Sequence, residues 1–413
     1  MNKRTKSWLA GLLGAALAVA GCQAHEPVET AMVTVPPTAE PSAEVAELVR
    51  AHNAFALRVT RMLSPANSNL AYSPLSATSA LAMVQLGAAG TTEQELAEAM
   101  GVPSASLPAL GVMLRGLTGA QLTSAQRVWL ASTTTVLPGW SKALLEHFGG
   151  EPGVMEAGSL EGARSTINRW VKSQTAGAIE ELLPSGSLAG PTSLVVTNAV
   201  HFKGRWARPF DPADTTTASF HVNGVAPQEV PMMHASRGYR YGAAEDAAIL
   251  ELPFEGDAYA MIILLPTAVN GLVGVEARLT PEGLEARLAS MAPRSVEVAL
   301  PRFTVSSELQ LSYTLSALGM PSLFKQGDAD LSGMDGTHDL FVSAMFHKAI
   351  VEVNEEGAEA SAATGAVVKR RSLNTATPFV VDRPFLFAIR HQATGALLFV
   401  GRVGDPRLGM KGI

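Results

Sequence analysis

Apolar residues recur at helical spacing from Ala46 to Leu63, which predicts an amphipathic first helix. Ser73-Pro74 supplies a capping hydroxyl and a residue suited to the first turn, and predicts a second helix from Pro74 to Leu86. Thr91 to Met100 opens with Thr-Thr-Glu-Gln-Glu, close to a capping box, and predicts a third. A fourth is predicted from Asn168 to Leu183, ending before Pro184. The period then shortens. Leu194 to Phe202, Ala248 to Pro253, Ala258 to Leu265 and Val296 to Phe303 are apolar or alternating runs bounded by Gly, Pro or Asp, and read as strands. Phe346 to Val353, Phe385 to Ile389 and Ala396 to Val403 continue the pattern. Helices first and strands later, without regular βαβ alternation, indicate an α+β fold with mainly antiparallel sheets.

The 413 residues are enough to bury a large core, and 47% hydrophobic against 16% charged residues is too apolar for a disordered chain. A net charge of −6 with no basic stripe argues against a nucleic-acid partner. The N-terminus reads as an address. Lys3, Arg4 and Lys6 precede an apolar stretch from Trp8 to Ala18. Val19-Ala20-Gly21-Cys22 resembles the bacterial lipobox, whose cysteine is lipidated and becomes the first mature residue. Residues 1–21 are then a lipoprotein signal peptide, and removing their three cations takes the formal charge from −6 to −9. Residues 22–44, rich in Pro, Glu, Thr and Ala, read as a tether, and 45–413 as a single domain. Cys22 is the one cysteine of the chain, so the folded part needs no disulfide. The expectation is an exported bacterial lipoprotein, anchored at the outer membrane, in the periplasm or at the cell surface, and secreted if the lipid is absent. Gln23 lacks the aspartate associated with inner-membrane retention. The best remaining apolar run, Met261 to Pro266, is too short to span a bilayer.

The segment Glu355 to Ser372 carries the chemistry. It has no proline, and Ala358, Ala360, Ala362, Thr364, Ala366 and Val368 would share one face of an extended strand. Glu359, Ser361 and Lys369 fall on the other face. The run ends in Lys369-Arg370-Arg371, which a protease with an acidic specificity pocket would cut. A potential buried strand with protease bait at its end suggests a suicide substrate. Composition alone also fits an Ala/Gly-rich surface linker or a frayed helix. A remote alternative is a periplasmic serine hydrolase, because Ser322-Leu-Phe-Lys325 has the S-x-x-K spacing. No Ser-Asp-Asn or Lys-Thr-Gly follows it, and no G-x-S-x-G, H-E-x-x-H or paired-cysteine motif is present, so neither an enzyme nor a cofactor or metal is expected.

Five separated motifs resemble the serpin family, in the family's order, over roughly residues 45 to 407. They are Asn69 to Ser76, Asn198 to Trp206, His347-Lys348-Ala349, Phe379 to Phe387, and Phe399 to Val403 with Pro406. The resemblance implies an α+β serpin fold of three β-sheets, about eight or nine helices and an exposed reactive loop, here about residues 355–378. It also implies a gap in the large central sheet A. After cleavage the loop inserts there as a strand and traps the acyl-enzyme covalently; loop insertion is itself a recognised case of strand addition and released strain. Glu355 and Gly357-Ala358-Glu359-Ala360-Ser361-Ala362-Ala363 match the inhibitory hinge, whose small side chains pass cheaply into a closing sheet. The family's usual loop length, counted from Gly357, places the reactive bond at Arg371-Ser372, with Lys369 and Arg370 as further specificity residues.

The implied partner is a trypsin-like serine protease, because an arginine guanidinium pairs bidentately with a carboxylate in the pocket. A dibasic-specific subtilisin-type or Arg-specific cysteine protease, cutting after Arg370 or Arg371, is the competing target, and a non-inhibitory serpin the competing role. Ser73, Ser76, Asn198 and His347 match the family's shutter under sheet A. Trp206 matches its breach, where the loop enters, and Arg302 with Glu355 a family ion pair there. The region from Gly101 to Gln121 offers only Arg115, so no glycosaminoglycan site is evident. A monomer needing no cofactor is expected.

Overall fold

The computed structural model describes residues 41–63, 69–119, 121–156, 159–188, 190, 192–222, 227–357 and 376–409. Among them the helices are α1 (Ala43–Leu63), α2 (Pro74–Gln85), α3 (Gly90–Met100), α4 (Leu107–Gly116), α5 (Pro138–Phe148), α6 (Leu160–Gln174), α7 (Leu272–Arg278), α8 (Pro281–Ala289), α9 (Ser312–Ala317) and α10 (Ser332–Asp335). The strands are β1 (Leu70–Tyr72), β2 (Leu122–Ala131), β3 (Gly153–Met155), β4 (Leu194–Phe202), β5 (Thr216–His221), β6 (Pro227–Ala243) and β7 (Ala247–Pro253). They continue with β8 (Tyr259–Pro266), β9 (Ala292–Pro301), β10 (Phe303–Gln310), β11 (Val342–Val353), β12 (Thr377–Val380), β13 (Phe385–His391) and β14 (Leu397–Val403).

The strands form one five-stranded sheet, β10-β11-β4-β2-β3, and one nine-stranded sheet, β1-β14-β13-β8-β7-β6-β9-β12 with β5 added on β6. Two of the three expected sheets are therefore continuous. The 17-residue β6 joins them, pairing with β5 and β9 along one part and with β7 from Arg240 to Ala243. Most pairings are antiparallel, as expected; the parallel ones are β11 with β4, β2 with β3, and β12 with β9.

β4 is buried at all nine positions because both its faces are covered. Val196 and Val200 point into the main core, which also holds Leu75 and Leu81 of α2 and Phe387 and Phe399 of the nine-stranded sheet. Val195 and Ala199 point the other way and pack with Ile167 and Val171 of α6. Arg127 helps fix α6 over this face, its guanidinium lying 4.4 Å from the Trp170 ring centroid. A separate apolar layer fills the outer side of the larger sheet, with Leu57 of α1, Leu272 and Val275 of α7, and Leu284 of α8.

Ser73 caps α2, its side chain accepting from the Ser76 N–H, as Ser73-Pro74 predicted. The expected capping box at Thr91 does not form: α3 starts at Gly90 and its N-cap is Ala89. Thr92 instead shares a hydrogen bond with the Ser322 hydroxyl at 2.9 Å. The fourth predicted helix is displaced. α6 ends at Gln174 because the Thr175 hydroxyl bonds the Val171 carbonyl and the Ile179 N–H, and Ala176 adopts φ 49°. Asn168 then holds the following loop through the Leu182 and Leu183 N–H groups. Among the described residues, no single helix is long and apolar enough to cross a membrane.

Candidate functional site

The resemblance predicted a gap in the central sheet. In the structure the sheet is shut: β4 and β11 are hydrogen-bonded neighbours from Leu194 and Val342 to Phe202 and Val351. A standing gap would leave two rows of buried N–H and C=O groups unpaired, so closure is the favoured resting state. Any strand added between β4 and β11 has to break this ladder first.

A polar cluster lies directly under that seam. His347 of β11 and Asn198 of β4 are partners in the strand register, and the His347 Nδ1–H donates to Asn198 Oδ1 at 2.8 Å. The same oxygen accepts from the Ser76 hydroxyl, while the Ser73 N–H donates to His347 Nε2 at 3.2 Å. The Ser73 hydroxyl in turn donates to the Leu398 carbonyl at 2.8 Å. All four residues are fully buried. These bonds assign His347 as the neutral Nδ1–H tautomer, because Nε2 must accept. Burial pulls its pKa down to about 3, and a second ring proton would also face the Ser73 N–H. The four predicted shutter residues thus form one cluster, tying α2 to both strands of the seam. Tyr72 completes it, with its ring centroid 5.2 Å from that of His347.

Above the seam, β11 ends in a hinge clamped from two sides. Arg302, between β9 and β10, reaches Glu355 with Nε at 2.7 and 2.8 Å from the two carboxylate oxygens and Nη2 at 2.5 Å. The Thr215 hydroxyl donates to the same carboxylate. Burial raises the Glu355 carboxyl, but Arg302 and Thr215 together outweigh it and hold the group below its ordinary range. The predicted ion pair therefore forms. Backbone bonds complete the clamp: the Trp206 N–H donates to the Glu356 carbonyl at 2.8 Å and the Phe210 N–H to the Glu355 carbonyl at 2.8 Å. The Trp206 indole N–H donates to the Asn354 carbonyl at 2.9 Å, and its ring stacks on Phe254 at 4.6 Å.

Asn354 makes the turn out of the strand. Its side-chain oxygen accepts from the Glu356 and Gly357 N–H groups at 3.0 and 3.2 Å. Gly357 has φ 152°, and a Cβ there would lie 2.1 Å from the Gly204 carbonyl oxygen, so glycine is required. Asn354 and Thr215 are site residues that the sequence reading missed. An asparagine directly after a strand was an available turn signal for the first. Thr215, beside two further threonines, carries none.

The remaining hinge residues Ala358, Glu359, Ala360, Ser361, Ala362 and Ala363 lie outside the described residues, as do Lys369, Arg370, Arg371, Ser372 and Cys22. The serine-hydrolase alternative is not supported by geometry. The Ser322 hydroxyl donates to Glu95 at 2.7 Å, whereas Lys325 pairs with Asp328 at 2.6 Å. Lys325 is largely exposed, so it meets neither the serine nor a pocket around it.

Comparison with known proteins agrees with this architecture. The description "Serpin (serine protease inhibitor)" matches residues 50–406. Leukocyte elastase inhibitor A of Rattus norvegicus is 38% identical over 379 residues, covering 87% of this chain and 100% of the relative. The human leukocyte elastase inhibitor has the same identity and coverage. The crystal structure of Serpin48, described as a highly specific serpin in the insect Tenebrio molitor, superposes with a TM-score of 0.78 at 29% identity. It covers 87% of this chain and 98% of the insect protein. With its closed five-stranded sheet, its buried polar cluster and its clamped hinge, this chain belongs to the serpin family.

Proposed function

We propose that this protein is an irreversible suicide-substrate inhibitor of a trypsin-like, Arg-specific serine protease. The carrying observation is the pairing of a hinge held at the top of β11 with a run of alternate alanines directly after it. The catalytic serine oxygen of the protease attacks the Arg371 carbonyl and forms an ester, the Arg371–Ser372 amide bond breaks, and Ser372 leaves as a free amine that takes up the serine's proton. Freed at one end, residues from Gly357 onward enter between β4 and β11. Ala358, Ala360 and Ala362 offer the sheet no polar atom to bury and little bulk, which favours insertion over hydrolysis of the acyl bond. The new strand replaces the β4–β11 ladder with two ladders, which supplies the driving force.

The mammalian relatives are named for leukocyte elastase. This chain carries Arg371 where the family's spacing puts the reactive bond, and arginine suits an acidic pocket. A second target class rests on Arg370, which makes the site dibasic for a subtilisin-type protease. We also propose that Cys22 carries a lipid and that the inhibitor acts tethered to a membrane; the Val19-to-Cys22 lipobox and the segment to residue 44 support this. Time-dependent loss of trypsin activity, abolished by Arg371→Ala, tests the inhibitor reading; rapid turnover of the protein as a substrate would reject it. Palmitate labelling lost in Cys22→Ser tests the anchor, and labelling absent from the wild type would reject it.

A further inference from the structure

On an acidic protein, three arginines gather beside the clamped hinge. Arg208 lies between Trp206 and Phe210, the two residues whose N–H groups hold the Glu356 and Glu355 carbonyls. Arg237 of β6 donates through Nη2 to the Pro209 carbonyl at 2.7 Å, which brings its guanidinium against the same segment. Arg294 of β9 is the register partner of Tyr239, two residues along β6 from Arg237. Strand alternation therefore places Arg237, Tyr239 and Arg294 on one face. Arg237 is itself opposite Val296, and Val296 is opposite Thr377, where the chain returns after the loop. The three cations thus lie between the departure of the reactive loop at Gly357 and its return at Thr377.

Arg208 and Arg294 are exposed and Arg237 is half-buried, and among the described residues none of the three forms an ion pair. The nearest carboxylates in sequence are Asp211 and Glu297. Asp211 accepts from the Ala213 N–H at 2.9 Å, and Glu297 falls on the opposite face of β9. Guanidiniums that share this face with no carboxylate paired to them leave a local positive field that an anionic partner can use.

We propose that Arg208, Arg237 and Arg294 form a docking surface for an acidic face of the target protease, next to its active-site cleft; this rests on the inhibitor reading above. Charge complementarity favours that occupant over a free polyanion. The 18 residues between Gly357 and Ala376 carry Lys369, Arg370 and Arg371, so whatever engages them already presents acidic specificity sites. A protease with further acidic residues around its cleft meets a second cationic contact beside the first. Such a contact accelerates encounter and leaves the trapping step unchanged.

The test compares two trypsins of equal arginine specificity, one net anionic and one net cationic, against wild type, Arg208→Gln/Arg294→Gln and the triple variant adding Arg237→Gln. The double variant spares the Arg237–Pro209 bond, so loss of folding in the triple does not obscure the result. At about 0.05 M salt, inhibition of the anionic trypsin should slow about tenfold in the double variant, shrinking to about twofold at about 0.5 M. Rates with the cationic trypsin should change less than about twofold, and the stoichiometry should stay constant. Docking of anionic trypsin with its catalytic serine replaced by alanine should weaken by a similar factor. That binding measurement decides the patch even if cleavage without a covalent adduct refutes the inhibitor reading. Equal slowing with both trypsins, or none with either, overturns the proposal. So does acceleration of the wild type by heparin that the double variant loses, which would assign the arginines to a polyanion.

Discussion

Replacing Arg302 with alanine isolates what the hinge clamp contributes. Glu355 has 7% of its side chain exposed and Arg302 33%, so the substitution strands a carboxylate that has little access to water. Breaking a buried pair by removing one partner costs about 3–5 kcal/mol, and partial exposure of the guanidinium reduces this here to about 2 kcal/mol. Only the Thr215 hydroxyl then remains on the carboxylate from a side chain, while the Trp206 and Phe210 backbone bonds persist. A change of about 2 kcal/mol raises the population of the released hinge about 30-fold. The assay is polymer formation on native gels after mild heating, alongside the urea unfolding midpoint. Arg302→Ala should polymerise faster and unfold earlier. Adding Glu355→Gln removes the stranded charge and should recover about half the loss. The pH dependence carries a sign. In the wild type the carboxyl is held below its ordinary 4.5, so the pair's contribution is complete above that pH and is lost as pH falls through the folded value. The difference between variant and wild type should therefore shrink in acid. Wild-type polymerisation kinetics together with a stability loss under about 0.5 kcal/mol would show that the ion pair does not hold the hinge.

Other predictions follow from the same geometry. Gly357→Ala pushes a Cβ to 2.1 Å from the Gly204 carbonyl oxygen, a backbone atom that cannot swing aside, and should cost about 2 kcal/mol or more in urea unfolding; an unchanged midpoint contradicts the hinge geometry. Burial lowers the pKa of His347 to about 3 and that of His52 to about 4, from 6.5. The unfolded imidazoles bind protons first, so stability is complete above pH 6.5 and declines as pH falls toward the folded values. Each histidine should cost about 2 kcal/mol by pH 5, and His347→Gln should flatten the profile in that window. Ala360→Arg places a charge among the side chains that enter the sheet. It should turn the inhibitor into a substrate with the cleavage site unchanged; full inhibition by this variant would argue against insertion.

Legibility in the sequence followed how well a segment's pattern matched its burial. The apolar run Leu194 to Phe202 was read at its observed bounds because both faces of β4 are covered. β2, beside it in the same sheet, was missed. Its residues Thr123, Ser124, Gln126 and Arg127, spread over both faces, are half-buried and break both the apolar run and the period of two. β6 was missed because Pro227, Pro231, Gly238 and Gly242 read as turns, whereas they accommodate a long strand that changes partners. Of the site, Ser73 announced itself as a cap. Asn198 and His347 became a pair only through resemblance and then geometry: they are 149 positions apart, and nothing local marks a parallel register. The closure of the sheet was not legible either, since both strands read the same whether paired with each other or with an inserted third.

Insertion of the cleaved loop between β4 and β11 is the step on which inhibition depends, and equimolar incubation with active trypsin probes it. SDS gels and mass spectrometry should show a heat-stable adduct of about one trypsin per inhibitor, together with an equal amount of a released peptide running from Ser372 to Ile413. A peptide beginning at Arg371 would move the bond to Arg370 and keep the mechanism. Complete cleavage with no adduct, and active trypsin at the end, would contradict it.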